Sequence, residues 1–187
     1  MIETGQPKTE RLFIGVPVTA DARTAIALAL PKNIPGKVVA PDKWHFTLRF
    51  LGATSPAVRD ALISNLSSVN LGSAFRIQFG EMGAFPKPRR ARVLWLGVTR
   101  GGERLSGLAA IAEHAASVAG FTPEARRFTP HLTLSRIDPP QSVEPVLQTK
   151  SKIDVEMLVD SVILYRSRLG GGPARYEEVE RFALTRS

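Results

Sequence analysis

The sequence contains no cysteine, only three histidines, two tryptophans and two tyrosines among its 187 residues. The absence of cysteine excludes disulfide bonds, thiolate catalysis and cysteine-ligated zinc or iron–sulfur centres. No apolar run approaches the roughly 20 residues that a membrane-spanning helix needs. The first residues, Met1 to Arg11, lack the apolar stretch of a secretion signal. We therefore expect no membrane association and a cytoplasmic location.

Negative charge is also scarce, because 17 acidic residues face 25 lysines and arginines, which gives a net charge of +8. This surplus favours an anionic partner such as a phosphate or a nucleic acid. Hydrophobic residues make up 43% of the chain, which is enough to bury a globular core. We expect one monomeric domain over residues 11–187, preceded by a disordered lead at residues 1–10.

Strand and helix patterns alternate along the chain. Helices are predicted at residues 22–30 with Asp21 as the N-cap, from Pro56 to about residue 66 with Ser55 as the N-cap, and at 103–118. Strands are predicted at residues 11–17, 44–51, 75–80, 93–98, 131–137, 155–165 and 176–184. We expect Gly52 to end the second of these strands and Pro139-Pro140 to end the fifth.

A short pattern occurs twice. The segments at residues 12–16 and 94–98 both read Leu, aromatic, aliphatic, Gly, Val, and each is followed by a helix and then by a histidine strand. These repeats indicate an internal duplication of a strand–helix–strand unit. We therefore predict an α+β fold of two similar lobes, each an antiparallel sheet backed by helices. A central cleft between the lobes would hold both histidine strands.

The two histidine strands begin with the same pattern, His-apolar-Thr-Leu, at His45 and His131. Positions i and i+2 of a strand share a face, so each strand presents an imidazole together with the hydroxyl of Thr47 or Thr133. Near neutral pH one imidazole can accept a proton while the other donates one, and the hydroxyls can hold phosphoryl oxygens. Because no metal-binding carboxylate cluster accompanies them, the pattern favours displacement at phosphorus without a metal ion or cofactor.

The residues around both motifs resemble the two-histidine (2H) phosphoesterase superfamily, and within it the LigT-like RNA 2′,3′-cyclic phosphodiesterases. The resemblance is carried by residues 11–14, 44–52, 93–98 and 130–136, and it extends from about residue 11 to residue 184. It implies that the protein hydrolyses 2′,3′-cyclic phosphates at RNA ends or on nucleotides to 2′-phosphomonoesters.

The resemblance also implies individual roles. His45 would be the proton donor and His131 the proton acceptor, although the sequence alone does not distinguish these two roles. Thr47 and Thr133 match the motif threonines, and Arg136 matches a family arginine that approaches the phosphate. Strict alternation puts Arg136 on the face opposite His131, so its use requires the strand to bend or end near Ser135.

Other interpretations remain open at this point. A related enzyme could act on 2′-5′-linked RNA or on ADP-ribose 1″,2″-cyclic phosphate, and a non-catalytic module could bind RNA or nucleotides without turnover. The intact histidines and threonines of both motifs argue against a pure binding module, which has no need for an acid–base pair. Alternation also predicts Arg49 on the face of His45 and Phe50 on the opposite face, while core packing is favoured over base stacking for Phe13 and Trp44.

Overall fold

The structure is a computed structural model, and it describes residues 9–149, 153–170 and 172–186. Residues 1–8 of the predicted disordered lead lie outside the described residues, as does Gly171 of the glycine-rich segment near the end. The first strand begins at Glu10, the last position of the predicted lead.

The described residues contain nine strands and four α-helices, joined in places by short 3-10 turns. The strands are β1 (Glu10–Pro17), β2 (Lys37–Val38), β3 (His45–Thr54), β4 (Phe75–Phe85), β5 (Ala91–Arg100), β6 (Leu132–Gln141), β7 (Glu156–Val159), β8 (Ser161–Gly170) and β9 (Gly172–Ala183). The helices are α1 (Ala20–Ala29), α2 (Pro56–Ser68), α3 (Gly102–Val118) and α4 (Glu144–Leu147).

The nine strands form one antiparallel sheet in the order β7-β4-β5-β6-β3-β1-β8-β9, with β2 paired to β6. This order divides into a first half, β3-β1-β8-β9, and a second half, β6-β5-β4-β7. The two halves meet where Phe46 of β3 pairs with Leu132 of β6. The predicted α+β fold of two similar lobes is therefore confirmed, and the two halves form one continuous sheet through the histidine strands.

The helices cover the apolar side of the sheet and share one hydrophobic core with it. The N-cap of α2 is Ser55, as predicted, and its side chain accepts a hydrogen bond from the Val58 amide. The N-cap of α1 is Thr19 and not Asp21, which lies inside the helix. None of the helices in the described ranges is long and apolar enough to cross a membrane.

Several strand boundaries differ from the prediction, and β4 runs to Phe85 where the strand was predicted to end at residue 80. The strand β3 continues past Gly52, and β6 continues through Pro139 and Pro140 to pair at Gln141 with β5. The predicted strand at 155–165 is two strands, because the chain leaves β4 of the second half at Val159 and joins β1 and β9 of the first half from Ser161 onwards. The sequence does not reveal this change of partner, because both strands place apolar side chains in the core and no glycine or proline separates them.

The repeated sequence pattern also needs a correction of register. Gly15 of β1 lies opposite Thr47, and Trp95 of β5 lies opposite Thr133. Gly15 therefore corresponds in position to Trp95, and not to Gly97 as the matched letters suggest. A displacement of two residues keeps every side chain on its own face of the strand, so the alternation of the sequence cannot detect it.

Candidate active site

The two histidine strands are neighbours at the junction of the halves. In an antiparallel pair, one step backward on β3 corresponds to one step forward on β6. The pairing of Phe46 with Leu132 therefore sets each motif histidine across from the threonine of the other motif. The four side chains that this register brings together are His45, Thr47, His131 and Thr133.

Both imidazoles are held in the same way. Nδ1 of His45 lies 2.8 Å from the carbonyl oxygen of Lys43, and Nδ1 of His131 lies 2.7 Å from that of Thr129. A carbonyl oxygen can only accept, so Nδ1 carries the proton in each ring and Nε2 is the nitrogen that gains or loses one. Nε2 of His45 is 3.1 Å from the hydroxyl of Thr47.

A β-bulge brings Arg136 to the side of the histidines. Leu94 of β5 lies opposite Ser135, but the next residue, Trp95, lies opposite Thr133, so Leu134 is an extra residue in β6. Leu134 and Ser135 are both buried, whereas Arg136 is exposed. The expected bend near Ser135 is therefore present, because the extra residue reverses the alternation beyond it. We call the surface that carries the four motif side chains and Arg136 the histidine face.

The first half has a bulge at the equivalent position, Leu48, which moves Arg49 away from the histidine face. Nε of Arg49 lies 2.5 Å from Oε2 of Glu113 on α3, and its guanidinium donates to the carbonyl of Thr122. The prediction that Arg49 shares the face of His45 is therefore wrong. The same bulge turns Phe50 onto the histidine face.

Phe50 lies on the histidine face and not on the apolar side that alternation predicts. It pairs in register with Phe13, whose ring centroid lies 4.7 Å from that of His45, and its own ring is 5.9 Å from Phe13. The Phe50 side chain is 53% exposed, whereas Phe13 and Trp44 are 2% and 4% exposed. Core packing, the interpretation favoured for both residues, is confirmed for Trp44. Phe13 is buried instead on the side of the histidines, against His45 and the rings of Tyr165 and Tyr176.

Aromatic rings surround both histidines, and sequence reasoning did not identify most of them. The ring of His45 lies 5.9 Å from Tyr165 of β8 and 5.1 Å from Tyr176 of β9. The ring of His131 lies 5.1 Å from Phe85 and 6.4 Å from Trp95. The strands that carry these rings are distant in sequence from the two motifs. The rings could have been identified only from knowledge of which strands pair in each half.

Room for the His45 ring comes from Gly15. A Cβ atom at this position would lie 2.8 Å from the carbonyl oxygen of Phe46 and 3.5 Å from Cδ2 of His45. A larger residue would therefore collide with the backbone of β3 and push it, together with His45, away from β1.

Burial and positive charge both favour the neutral form of the two imidazoles. Burial lowers the pKa of His45 to about 4, although the hydrogen bond to the Lys43 carbonyl by itself raises it. The positive charges of Arg136 and His131 lower the pKa further. Burial also lowers the pKa of His131, although the hydrogen bond to the Thr129 carbonyl raises it, and the charge of Arg136 adds to the decrease. The guanidinium of Arg136 therefore acts on both rings, as expected for a cation on the histidine face.

The third histidine, His114, is exposed on α3 and belongs to neither motif. Within the described ranges, no group of three or more histidine, aspartate or glutamate side chains could hold a metal ion.

The fold and the paired histidine strands define the protein as a two-histidine phosphoesterase. The family model of the 2′-5′ RNA ligase superfamily matches residues 27–171. The RNA 2′,3′-cyclic phosphodiesterase of Aquifex aeolicus is 31% identical over 186 residues, covering 95% of this chain and 98% of that protein. The protein of the same name from Aeropyrum pernix is 39% identical over 105 residues, 56% of this chain and 59% of its own length.

Solved structures agree with these sequence matches. The crystal structure of Escherichia coli LigT complexed with 3′-AMP superimposes with a TM-score of 0.77 at 28% identity, covering 95% of this chain and 99% of the other. The chain therefore belongs to the 2′-5′ RNA ligase superfamily, as the resemblance of its motifs implied.

Proposed function

We propose that this protein is an RNA 2′,3′-cyclic phosphodiesterase, which opens the cyclic phosphate at an RNA 3′ end to give a 2′-phosphomonoester. The relatives that cover nearly the whole chain carry this name. The observation that supports this function most directly is the pair of imidazoles, each fixed through Nδ1 with Nε2 as its titrating nitrogen.

The reaction needs one proton accepted and one donated. Nε2 of His131 would take a proton from water as the water oxygen bonds to phosphorus. The bond from phosphorus to the 3′ oxygen would break, and that oxygen would receive the proton from Nε2 of His45. Exchange of one proton with solvent then restores both rings. This direction follows the roles implied by the family resemblance.

The charge of the reacting phosphate would be held by the remaining members of the histidine face. The hydroxyls of Thr47 and Thr133 can donate to the non-bridging oxygens, and the guanidinium of Arg136 can bind them as a cation. The substrate is then enclosed by side chains of one chain only, consistent with the expected monomer. The monomeric state and the cytoplasmic location remain predictions.

The test is incubation with 2′,3′-cyclic nucleotides and with an oligonucleotide that ends in a 2′,3′-cyclic phosphate, followed by phosphorus NMR of the products. We expect the 2′-phosphomonoester alone, and a 3′-phosphate would point to the opposite leaving oxygen. His45→Ala and His131→Ala should each lower kcat about 10²- to 10⁴-fold.

The matched control is His114→Ala, which should retain the wild-type rate, and circular dichroism would check that each variant is folded. A chelator such as EDTA should leave the rate unchanged if the two histidines suffice. Binding of the oligonucleotide without any product from the wild-type protein would instead support a non-catalytic module.

A further inference from the structure

A second cation lies beside Arg136. The short strand β2 pairs with β6 so that Lys37 is directly opposite Arg136. Residues opposite each other in an antiparallel pair project from the same face, with their Cβ atoms about 5 Å apart. Lys37 and Arg136 therefore lie side by side at the edge of the histidine face.

Placing two like charges opposite each other is unfavourable unless something neutralises them. In the part of the chain that the structure describes, no carboxylate lies within ion-pair distance of either side chain. Several other arginines are paired with carboxylates, among them Arg89 with Glu144 and Arg92 with Asp138. The Lys37–Arg136 pair is thus left to an external anion.

The backbone around Lys37 is fixed against β6. The Val39 amide donates to the carbonyl of Leu134 at 2.8 Å, and the Ser135 hydroxyl donates to the carbonyl of Pro35. Gly36 has a φ of 81°, and a Cβ there would lie 2.5 Å from the carbonyl oxygen of Arg136. Lys37 is therefore presented by a segment held close to the site, which reduces the entropy lost when it binds a ligand.

We propose that Lys37, beside Arg136, binds the phosphate group on the 5′ side of the terminal nucleotide. The protein then favours RNA ends over nucleoside 2′,3′-cyclic phosphates that have a free 5′ hydroxyl. This inference rests on the proposed function. Arg136 is within electrostatic reach of both histidines and can hold the cyclic phosphate, whereas Lys37 lies on the neighbouring strand β2 and neither histidine is affected by its charge. The next phosphate of the same RNA strand is the anion that necessarily accompanies the first, and an ammonium group suits it as a point charge.

The test compares two small substrates, a nucleoside 2′,3′-cyclic phosphate with a free 5′ hydroxyl and the same compound with a 5′-phosphate. In the wild-type protein the 5′-phosphate should raise kcat/KM about 5- to 50-fold, mainly through KM. Lys37→Gln should abolish this gain while leaving the substrate with the free hydroxyl within about twofold, and Lys37→Arg should retain most of it.

The control is Lys32→Gln, which removes the same charge from an exposed lysine outside the paired segment. It should preserve the gain from the 5′-phosphate. For a cyclic-phosphate-ended oligonucleotide, Lys37→Gln should also reduce the slope of log(kcat/KM) against log[salt] by about 0.7.

An equal loss with both substrates would mean that Lys37 acts on the cyclic phosphate itself, and no loss with either would mean that it binds no phosphate. Both results would overturn the inference. Neither would affect the proposed function, which fails if the wild-type protein hydrolyses neither these compounds nor the cyclic-phosphate-ended oligonucleotide.

Discussion

The two imidazoles of the active site differ from free histidine in their protonation, because burial and Arg136 lower the pKa of both rings. The ring of His45 has a pKa of about 4, so it is almost wholly neutral at pH 7 in the absence of substrate. Acid–base catalysis needs one ring protonated and the other neutral. The unliganded protein therefore holds little of the active form at neutral pH.

We predict a bell-shaped pH profile of kcat/KM with its maximum below pH 6.5. The active form is most abundant between the two pKa values of the free protein, one about 4 and the other lowered from 6.5. Binding of an anionic phosphate favours the imidazolium and raises both pKa values, so the kcat profile should lie at higher pH than the kcat/KM profile. Initial rates between pH 3.5 and 8.5 would measure both.

Arg136→Gln supplies the check on this explanation. Removing the cation raises the pKa of both rings, so the kcat/KM maximum should move toward higher pH even though the rate falls. A maximum that stays in place would mean that Arg136 does not set the protonation of the histidines.

At the scale of single elements, the bulges at Leu48 and Leu134 decide which side chains reach the site. Each inserts one residue directly after the motif threonine, and each reverses the alternation that follows. In β6 the bulge brings Arg136 to the histidine face, and in β3 it brings Phe50. The equivalent positions thus carry a cation on one half and an aromatic ring on the other.

The bulge in β3 leads to a prediction about stability. Arg49 is only 11% exposed and is paired with Glu113, so Arg49→Met should leave a half-buried carboxylate without its partner and cost about 1–3 kcal/mol of unfolding free energy. Urea denaturation at pH 7 would measure this loss.

Arg76→Met provides the matched control. The ion pair between Arg76 and Glu156 is exposed, and its loss should cost less than about 1 kcal/mol. Equal effects of the two substitutions, or a large fall in kcat for Arg49→Met, would contradict the assignment of Arg49 to the helix side.

The sequence predicts the features that follow from local patterns, and it does not predict those that depend on bulges or on the pairing of distant strands. Period-two alternation and the His-apolar-Thr pattern identified both histidine strands and their four motif side chains. A bulge adds one residue with no compositional signal. Alternation therefore predicts Arg49 on the histidine face and Phe50 on the opposite side, which is the reverse of the structure. The neighbours of the histidines on β4, β8 and β9 depend on strand pairing between distant segments, which the local pattern does not contain.

At the scale of the whole molecule, the chain exchanges strands between the two halves. After α2 it enters the second half through β4, and it returns to the first half between β7 and β8. The first half therefore consists of strands from both ends of the described chain. Contacts also cross the junction, since the ring of Phe46 on β3 stacks on that of Phe79 on β4 with centroids 5.7 Å apart.

These crossings predict that the two halves unfold together as one domain, although they resemble each other. Each half contains one of the two tryptophans, Trp44 before β3 and Trp95 in β5. In Trp95→Phe the fluorescence reports the first half, and in Trp44→Phe it reports the second. Within each variant, fluorescence and far-UV circular dichroism should give the same midpoint in urea, because the two halves share one hydrophobic core and are paired through β3 and β6. A midpoint of fluorescence that differs from that of circular dichroism, in either variant, would mean that one half is stable alone and that the chain has two folding units.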